Sequence, residues 1–231
     1  IVRLLAKEGA NIAFSYLSSE REAQQLVKDI QTNFGVKIIG IQADAANEEQ
    51  IRYFFKKSVD FLETVDILIN NAAIWLTGLV EDITLDEWDL TMRVNLQTPF
   101  LLSQLFVQHK NELEGPGHIV NITSQAAFHG STTGHAHYAA SKAGLIAFSI
   151  SLAREVAQYN INVNNVAVGI MRTNMIERKF AKNPDYYLDR IPMGRISEPE
   201  EVAKVVAFLS SGLASYMTGA TVDVTGGMLI R

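Results

Sequence analysis

The segment His118-Ile119-Val120-Asn121-Ile122-Thr123-Ser124 is a short run rich in β-branched residues and without any charged one, and fourteen positions beyond its final serine stands Tyr138-Ala139-Ala140-Ser141-Lys142 at the head of a long apolar stretch. A run of that length and composition is a strand buried on both faces, as in a parallel sheet covered by helices. Beyond it come a loop and then a helix, half of a strand-helix-strand unit. On that helix, residues four apart share a face, so the Tyr138 hydroxyl and the Lys142 ammonium project together. Ser124 ends the strand, and the carboxyl ends of parallel strands border the crevice in which such sheets bind ligands.

Working outward, the same alternation of short apolar runs and amphipathic segments covers the chain. Asn11 to Tyr16, Lys37 to Ala43, Asp66 to Asn70, Asn162 to Ala167 and Thr221 to Val224 read as further strands. Helix starts are marked by Ser18 or Ser19 before Glu22, by Asn47, by Thr84 with Glu87, and by Ser197 with Pro199 and Glu200. Ile1 to Glu8 has the spacing of a helix interior, with Gly9 placed to stop it. The least regular stretches, 124–136 and 170–196, are where loops shaping a ligand site are expected. The pattern predicts an α/β fold in three layers, with residues 1–231 forming a single domain.

Bulk composition narrows the function. A net charge of −5 provides no basic footprint for nucleic acid. Without any cysteine there is no disulfide framework, thiolate metal site or cysteine nucleophile, which fits a cytoplasmic setting. No apolar run approaches the roughly 20 residues of a membrane helix. His129, His135 and His137 fall close together, but no carboxylate or cysteine in that stretch completes a metal site, so none is expected. The run Arg178-Lys179 reads as a solvated face.

The chemistry centres on Tyr138. Acting as acid or base near neutrality asks a tyrosine for roughly 4 kcal/mol of preference for phenolate, which a neighbouring cation such as Lys142 supplies most directly. A hydroxyl at Ser124 can donate to a developing alkoxide. Asn95 sits in a helical segment from Asp86 to about Lys110 that contains Pro99. Proline lacks the N–H that would bond the Asn95 carbonyl, which opens a kink and an acceptor there.

Asn95, Ser124, Tyr138 and Lys142 together resemble the catalytic tetrad of the short-chain dehydrogenase/reductase family. The resemblance runs the length of the chain and includes Asn70-Asn71-Ala72-Ala73, Thr173, and Thr225-Gly226-Gly227. It implies a Rossmann-type doubly wound parallel sheet and an NAD(P)-dependent oxidoreductase that interconverts a secondary alcohol and a ketone. Tyr138 would move the proton and Lys142 would also bind the nicotinamide ribose. By the same resemblance Asp44 and Ala45 lie at the adenine, Asn71, Ala72 and Ala73 along the adenosine ribose, and Ile170 and Thr173 near the carboxamide. The intact set of four favours an enzyme over a non-catalytic dinucleotide sensor of the same fold. NADP is the favoured cofactor over NAD. Tyr16 stands where NAD-specific members carry a carboxylate, and Ser18, Ser19 and Arg21 leave room and donors for a 2′-phosphate.

A homotetramer acting on a small carbonyl or alcohol, with no membrane or nucleic-acid partner, is also implied. Ile191 to Glu201 and His137-Tyr138 resemble glucose 1-dehydrogenases, and the framework resembles 3-oxoacyl-carrier-protein reductases, although Glu112 and Glu114 make Lys110 to Gly117 a poor surface for an acidic carrier. Three departures stand out. Val168 replaces a proline before Gly169, which predicts a less rigid loop. Ala73 replaces a glycine. The first strand and its glycine-rich phosphate loop are missing from these residues, so about twenty residues carrying them are expected upstream of Ile1.

Overall fold

The computed structural model describes residues 1–130 and 134–230, without the side chains of Asn174, Met175, Arg178 and Lys179. The Arg178-Lys179 reading and residues 131–133 of the loop before Tyr138 therefore lie outside the described residues. Six strands, β1 (Ile12–Tyr16), β2 (Ile38–Gln42), β3 (Ile67–Asn70), β4 (Gly117–Ser124), β5 (Ile161–Val168) and β6 (Thr221–Val224), match the apolar runs within one or two residues. All their pairings are parallel.

Alternation along the central strands divides the core. Ile119 and Val163 pack with Phe55, Leu102, Phe106, Leu152 and Val156 from α3 (Glu48–Leu62), α5 (Thr98–Leu113) and α7 (Ala136–Val156). Their neighbours Val120 and Val166 pack instead with Val202, Val206 and Leu209 of α10 (Pro199–Leu209). Successive side chains of a strand point to opposite faces, so helices on both sides are needed to bury them. This is the three-layer Rossmann-type arrangement.

Hydrogen bonds join the strands as β1-β2 and as β3-β4-β5-β6. A strand between β1 and β3 would complete a seven-stranded order 3-2-1-4-5-6-7; among the described residues none pairs there. Ala6 of α1 (Val2–Lys7) and Ile30 of α2 (Glu20–Phe34) cover the smaller sheet through Ile12 and Ile38.

Local signals explain the helix ends. Asn47 accepts from the Gln50 N–H, and Thr84 and Glu87 form a reciprocal capping box at the start of α4 (Leu85–Met92). Gly9 ends α1 at φ 89°. One cap is corrected: the N-cap of α10 is Glu198, whose N–H donates to the Glu201 carboxylate, rather than Ser197. The Ser197 hydroxyl instead donates to the Ile170 carbonyl. Among the described residues no helix is long and apolar enough to cross a membrane.

Candidate active site

β4 and β5 run side by side to their carboxyl ends, where Ser124 pairs with Val168, and the Gln125 N–H closes the turn on the Val168 carbonyl. Helix α7 then returns across β4. Its Lys142 is buried, and the ammonium donates to the Ile122 carbonyl at 2.9 Å, which fixes the helix against the strand two residues before Ser124. The Tyr138 hydroxyl is hydrogen-bonded to Ser124, whose Oγ also accepts from the Ala126 N–H at 3.2 Å. Lys142 Nζ lies 5.9 Å from the centre of the Tyr138 ring. Ser124, Tyr138 and Lys142 are thus brought together by one strand end and one helix face.

The electrostatics differ from the sequence expectation. Burial raises the Tyr138 phenol above its ordinary range, and the hydrogen bond to Ser124 pulls it back only in part. Lys142 is pushed down by burial from 10.5 to about 8. Desolvation therefore dominates both groups, because each loses water before it gains a strong opposite charge. At neutral pH the phenol holds its proton and the ammonium its charge.

Asn95 has a role that the sequence does not show. Between α4 and α5 the helix passes through a π turn, Arg93–Gln97, in which the Thr98 N–H reaches the Arg93 carbonyl. Asn95 sits in this turn fully buried, and its side chain accepts from the Ile74 N–H at 2.9 Å and donates to the Ile74 carbonyl at 3.0 Å. It also donates to Ser141 Oγ, and Ser141 donates to the Tyr138 carbonyl. The side chain therefore ties the segment after β3 to the helix carrying Tyr138. Pro99 draws attention to the Asn95 carbonyl in the sequence; the amide clamp needs the π turn, which has no sequence signature of its own.

A cleft of about 830 Å³ opens over these groups. It is lined by Asn71, Ala72, Ala73, Ser124, Tyr138, Lys142, Ile170 and Thr173, all of them expected site residues. Ser18, Asp44 and Ala45 do not line it. Ser18 lies just past the end of β1 and Asp44 just past the end of β2. Asp44 Oδ1 accepts from the Ala46 N–H, closing a local turn, and the Ala45 carbonyl accepts from Thr98 Oγ1. Thr173 caps α8 (Asn174–Lys182) by position without a side-chain bond. Trp75, Gln125, Tyr186, Tyr187, Arg190 and Met228 also line the cleft, and no sequence motif singles them out. The only available signal is the irregularity of 170–196.

Val168, which stands in place of a proline, is the last residue of β5. That residue pairs with Ser124 and Val224, and the Gly169 N–H bonds the Val224 carbonyl. A Cβ on Gly169 would meet Thr225 Cα at 2.8 Å, a backbone contact that cannot yield by a rotamer change. Gly169→Ala is expected to cost about 1–3 kcal/mol in urea unfolding and to raise KM by displacing the cleft wall. Wild-type values for both would show that β6 can move away freely.

Comparison with known proteins agrees with this geometry. The family model for enoyl-(acyl carrier protein) reductase matches residues 1–229. The 3-oxoacyl-[acyl-carrier-protein] reductase FabG of Aquifex aeolicus is 39% identical over 228 residues, covering 99% of this chain and 91% of the relative. The chain belongs to the short-chain dehydrogenase/reductase family. The Thermotoga maritima reductase of the same name is 36% identical, covering 98% of this chain and 91% of its own.

Two solved structures superpose on nearly all of the chain. A blue fluorescent protein from a metagenomic library, solved with NADPH, has a TM-score of 0.92 at 33% identity and covers 100% of this chain and 92% of its own. A double mutant of a Serratia marcescens short-chain dehydrogenase/reductase has a TM-score of 0.89 at 32% identity, over 98% and 91%. This short-chain dehydrogenase/reductase is an NAD(P)-dependent oxidoreductase acting on CH–OH groups. Of the two resemblances within the family, the carrier-protein reductases are the ones these relatives support.

The donor set suits a dinucleotide. Lys142 offers a buried ammonium with one of its N–H groups on the Ile122 carbonyl, and Asn71 to Ala73 give a wall of small side chains leading to it. An ammonium of this kind suits a ribose diol, whereas the phosphate-cradling glycine turn is not among the described residues.

Proposed function

We propose that this enzyme, folded as one domain, reduces the ketone of a 3-oxoacyl compound to a secondary alcohol with NADPH, and runs the reverse reaction on the alcohol. The observation that supports it is the buried Ser124–Tyr138 hydroxyl pair with the Lys142 ammonium at its back, all three bordering one cleft. A bound nicotinamide supplies or accepts the hydride. Tyr138 holds the proton that passes to the carbonyl oxygen, and Ser124 donates to that oxygen as charge develops. Lys142 holds the ribose and steadies the phenolate left behind. Asn95 keeps Ile74 and the Tyr138 turn in register. Asn71 to Ala73, Ile170 and Thr173 contact the dinucleotide, with Asp44 and Ala45 at its adenine and Ser18 toward a 2′-phosphate.

The type of substrate comes from the relatives' names. Glu112 and Glu114 are exposed, and the one cation of their stretch, Lys110, is buried against Asp66 at 2.8 Å. That surface gives an acidic carrier nothing to hold. A panel of 3-oxoacyl esters and thioesters, sugars and simple ketones, each run with NADPH and with NADH, tests the reading. NADPH should be preferred with a 3-oxoacyl compound; oxidation of a sugar alone would replace this substrate, and equal efficiency with NADH would remove the cofactor preference. A non-catalytic sensor is disfavoured by the complete hydroxyl and ammonium set.

The same reading makes the enzyme a cytoplasmic homotetramer. Phe100 and Ile150 stand exposed on α5 and α7, and Leu213, Tyr216 and Ile230 flank β6. Light scattering at working concentration should give a mass near four chains, and a monomer would contradict it.

A further inference from the structure

In a protein of net charge −5, the cleft is lined, among the described residues, by Lys142, Arg190 and two histidines, and by no aspartate or glutamate. Lys142 is committed to the reacting end, where it backs Tyr138. Arg190 is not part of that machinery. It lies just beyond α9 (Pro184–Leu188), and its Nη1 donates to the Tyr186 hydroxyl at 2.8 Å while its guanidinium stands 5.0 Å from the Tyr186 ring centre. Among the described residues it makes no ion pair with a carboxylate.

That isolation is informative because two neighbouring arginines among the described residues are engaged: Arg172 bonds Glu198, and Arg195 is held at both amino groups by Glu201. A guanidinium held by one acceptor and one ring keeps its other N–H groups in a planar fork. Such a fork matches a carboxylate or phosphate in a two-bond geometry. Close by, Tyr187 stacks edge-on against Tyr186, their ring centres 5.1 Å apart, and both line the cleft.

The geometry points to Arg190 as the specificity residue for substrates that carry an anionic group, a carboxylate or a phosphate ester, at the end remote from the reacting carbonyl. This rests on the ketone-reductase reading above and names the substrate class of that same cleft. The site requires a carbonyl compound long enough to place its oxygen at Tyr138 and its anion at the Tyr186–Arg190 pair. Neutral ketones of the same length would bind without that second anchor.

The test compares matched pairs under one set of conditions: a 3-oxoacyl pantetheine thioester against the 3-oxoacyl pantetheine 4′-phosphate thioester, and an ω-carboxylated ketone against its methyl ester. Wild type should favour one or both anionic members by about tenfold in kcat/KM, the scale of one charge-assisted bond, mainly through KM. The pair with the larger ratio identifies phosphate or carboxylate as the group recognised. Arg190→Gln should bring the ratio near one, and Arg190→Lys should recover part of it. Equal efficiency within both pairs in wild type, or an unchanged ratio in Arg190→Gln, would overturn the assignment. Binding of the same four compounds, monitored by tryptophan fluorescence in wild type and Arg190→Gln, separates the two readings. An anion preference in binding without turnover would sink the reductase reading alone, and turnover without preference would sink the Arg190 role alone.

Discussion

Replacing Tyr138 by phenylalanine should lower turnover by roughly 10²–10⁴-fold, the range over which positioned acid–base groups act, while dinucleotide affinity stays close to wild type. The substitution removes one oxygen and keeps the ring that fills the space between Ser124 and Lys142. Ser124 loses a partner but still accepts from the Ala126 N–H, so its orientation survives. Because burial raises the Tyr138 phenol, the enzyme meets a ketone already protonated, the form reduction requires. Alcohol oxidation needs the phenolate, so its rate should climb with pH in wild type and show no such climb in the variant. Single-turnover kinetics with NADPH, together with fluorescence titration of the dinucleotide, would check both halves. Turnover near wild type in the variant would remove Tyr138 from the mechanism.

Lys142→Met should likewise abolish most turnover, and it should make the protein more stable at pH 7. The ammonium is buried and falls from 10.5 to about 8, which corresponds to about 3 kcal/mol of unfavourable charge burial. Methionine of similar length removes that cost but leaves the Ile122 carbonyl without its donor, a loss of about 1–2 kcal/mol. A net gain of about 1–2 kcal/mol remains. The folded pKa lies below the unfolded one, so the cost is fully present below pH 8. It disappears as pH rises from 8 to 10.5, where the unfolded chain binds the extra proton. Urea unfolding at pH 7 should therefore favour the variant, and the advantage should shrink or reverse near pH 10. A variant less stable than wild type at pH 7 would mean that the charge is solvated or paired better than its burial indicates. With the expected sign, the native enzyme keeps a group that function uses and stability does not.

How much of this is legible in sequence depends on the range of the interaction. Strands such as Ile67–Asn70 announce themselves because burial on both faces favours apolar residues in succession. The Thr84–Glu87 box is visible because both partners lie within one turn. Tyr138 and Lys142 are legible through a spacing of four. The Asn95 clamp on Ile74 is not, since it spans 21 residues and depends on a backbone register that no residue type encodes. Arg190 escapes notice because a lone arginine near a tyrosine is common on any surface; only the fold shows which carboxylates are elsewhere engaged. The direction of the Tyr138 shift runs against the sequence expectation because charge proximity can be guessed from spacing, whereas burial cannot. The turn that Asp44 closes with Ala46 is legible too, because its partners lie two residues apart.

The π turn at Arg93–Gln97 also bears on how this enzyme's length can vary. Such a turn holds one residue more than a regular helix would over the same span. Each residue of a helix advances the side chains by about 100°. Deleting any one residue from the turn would mend the backbone ladder and leave two sound helices. The flanking helices would keep their phase, but the residues within the turn would shift by about that angle against the segment after β3, carrying the Asn95 amide away from Ile74. Loops elsewhere absorb insertions and deletions at little cost. Here the residue count itself is part of the active site, and a single-codon deletion in the middle of a well-formed helix would disable catalysis while sparing the fold.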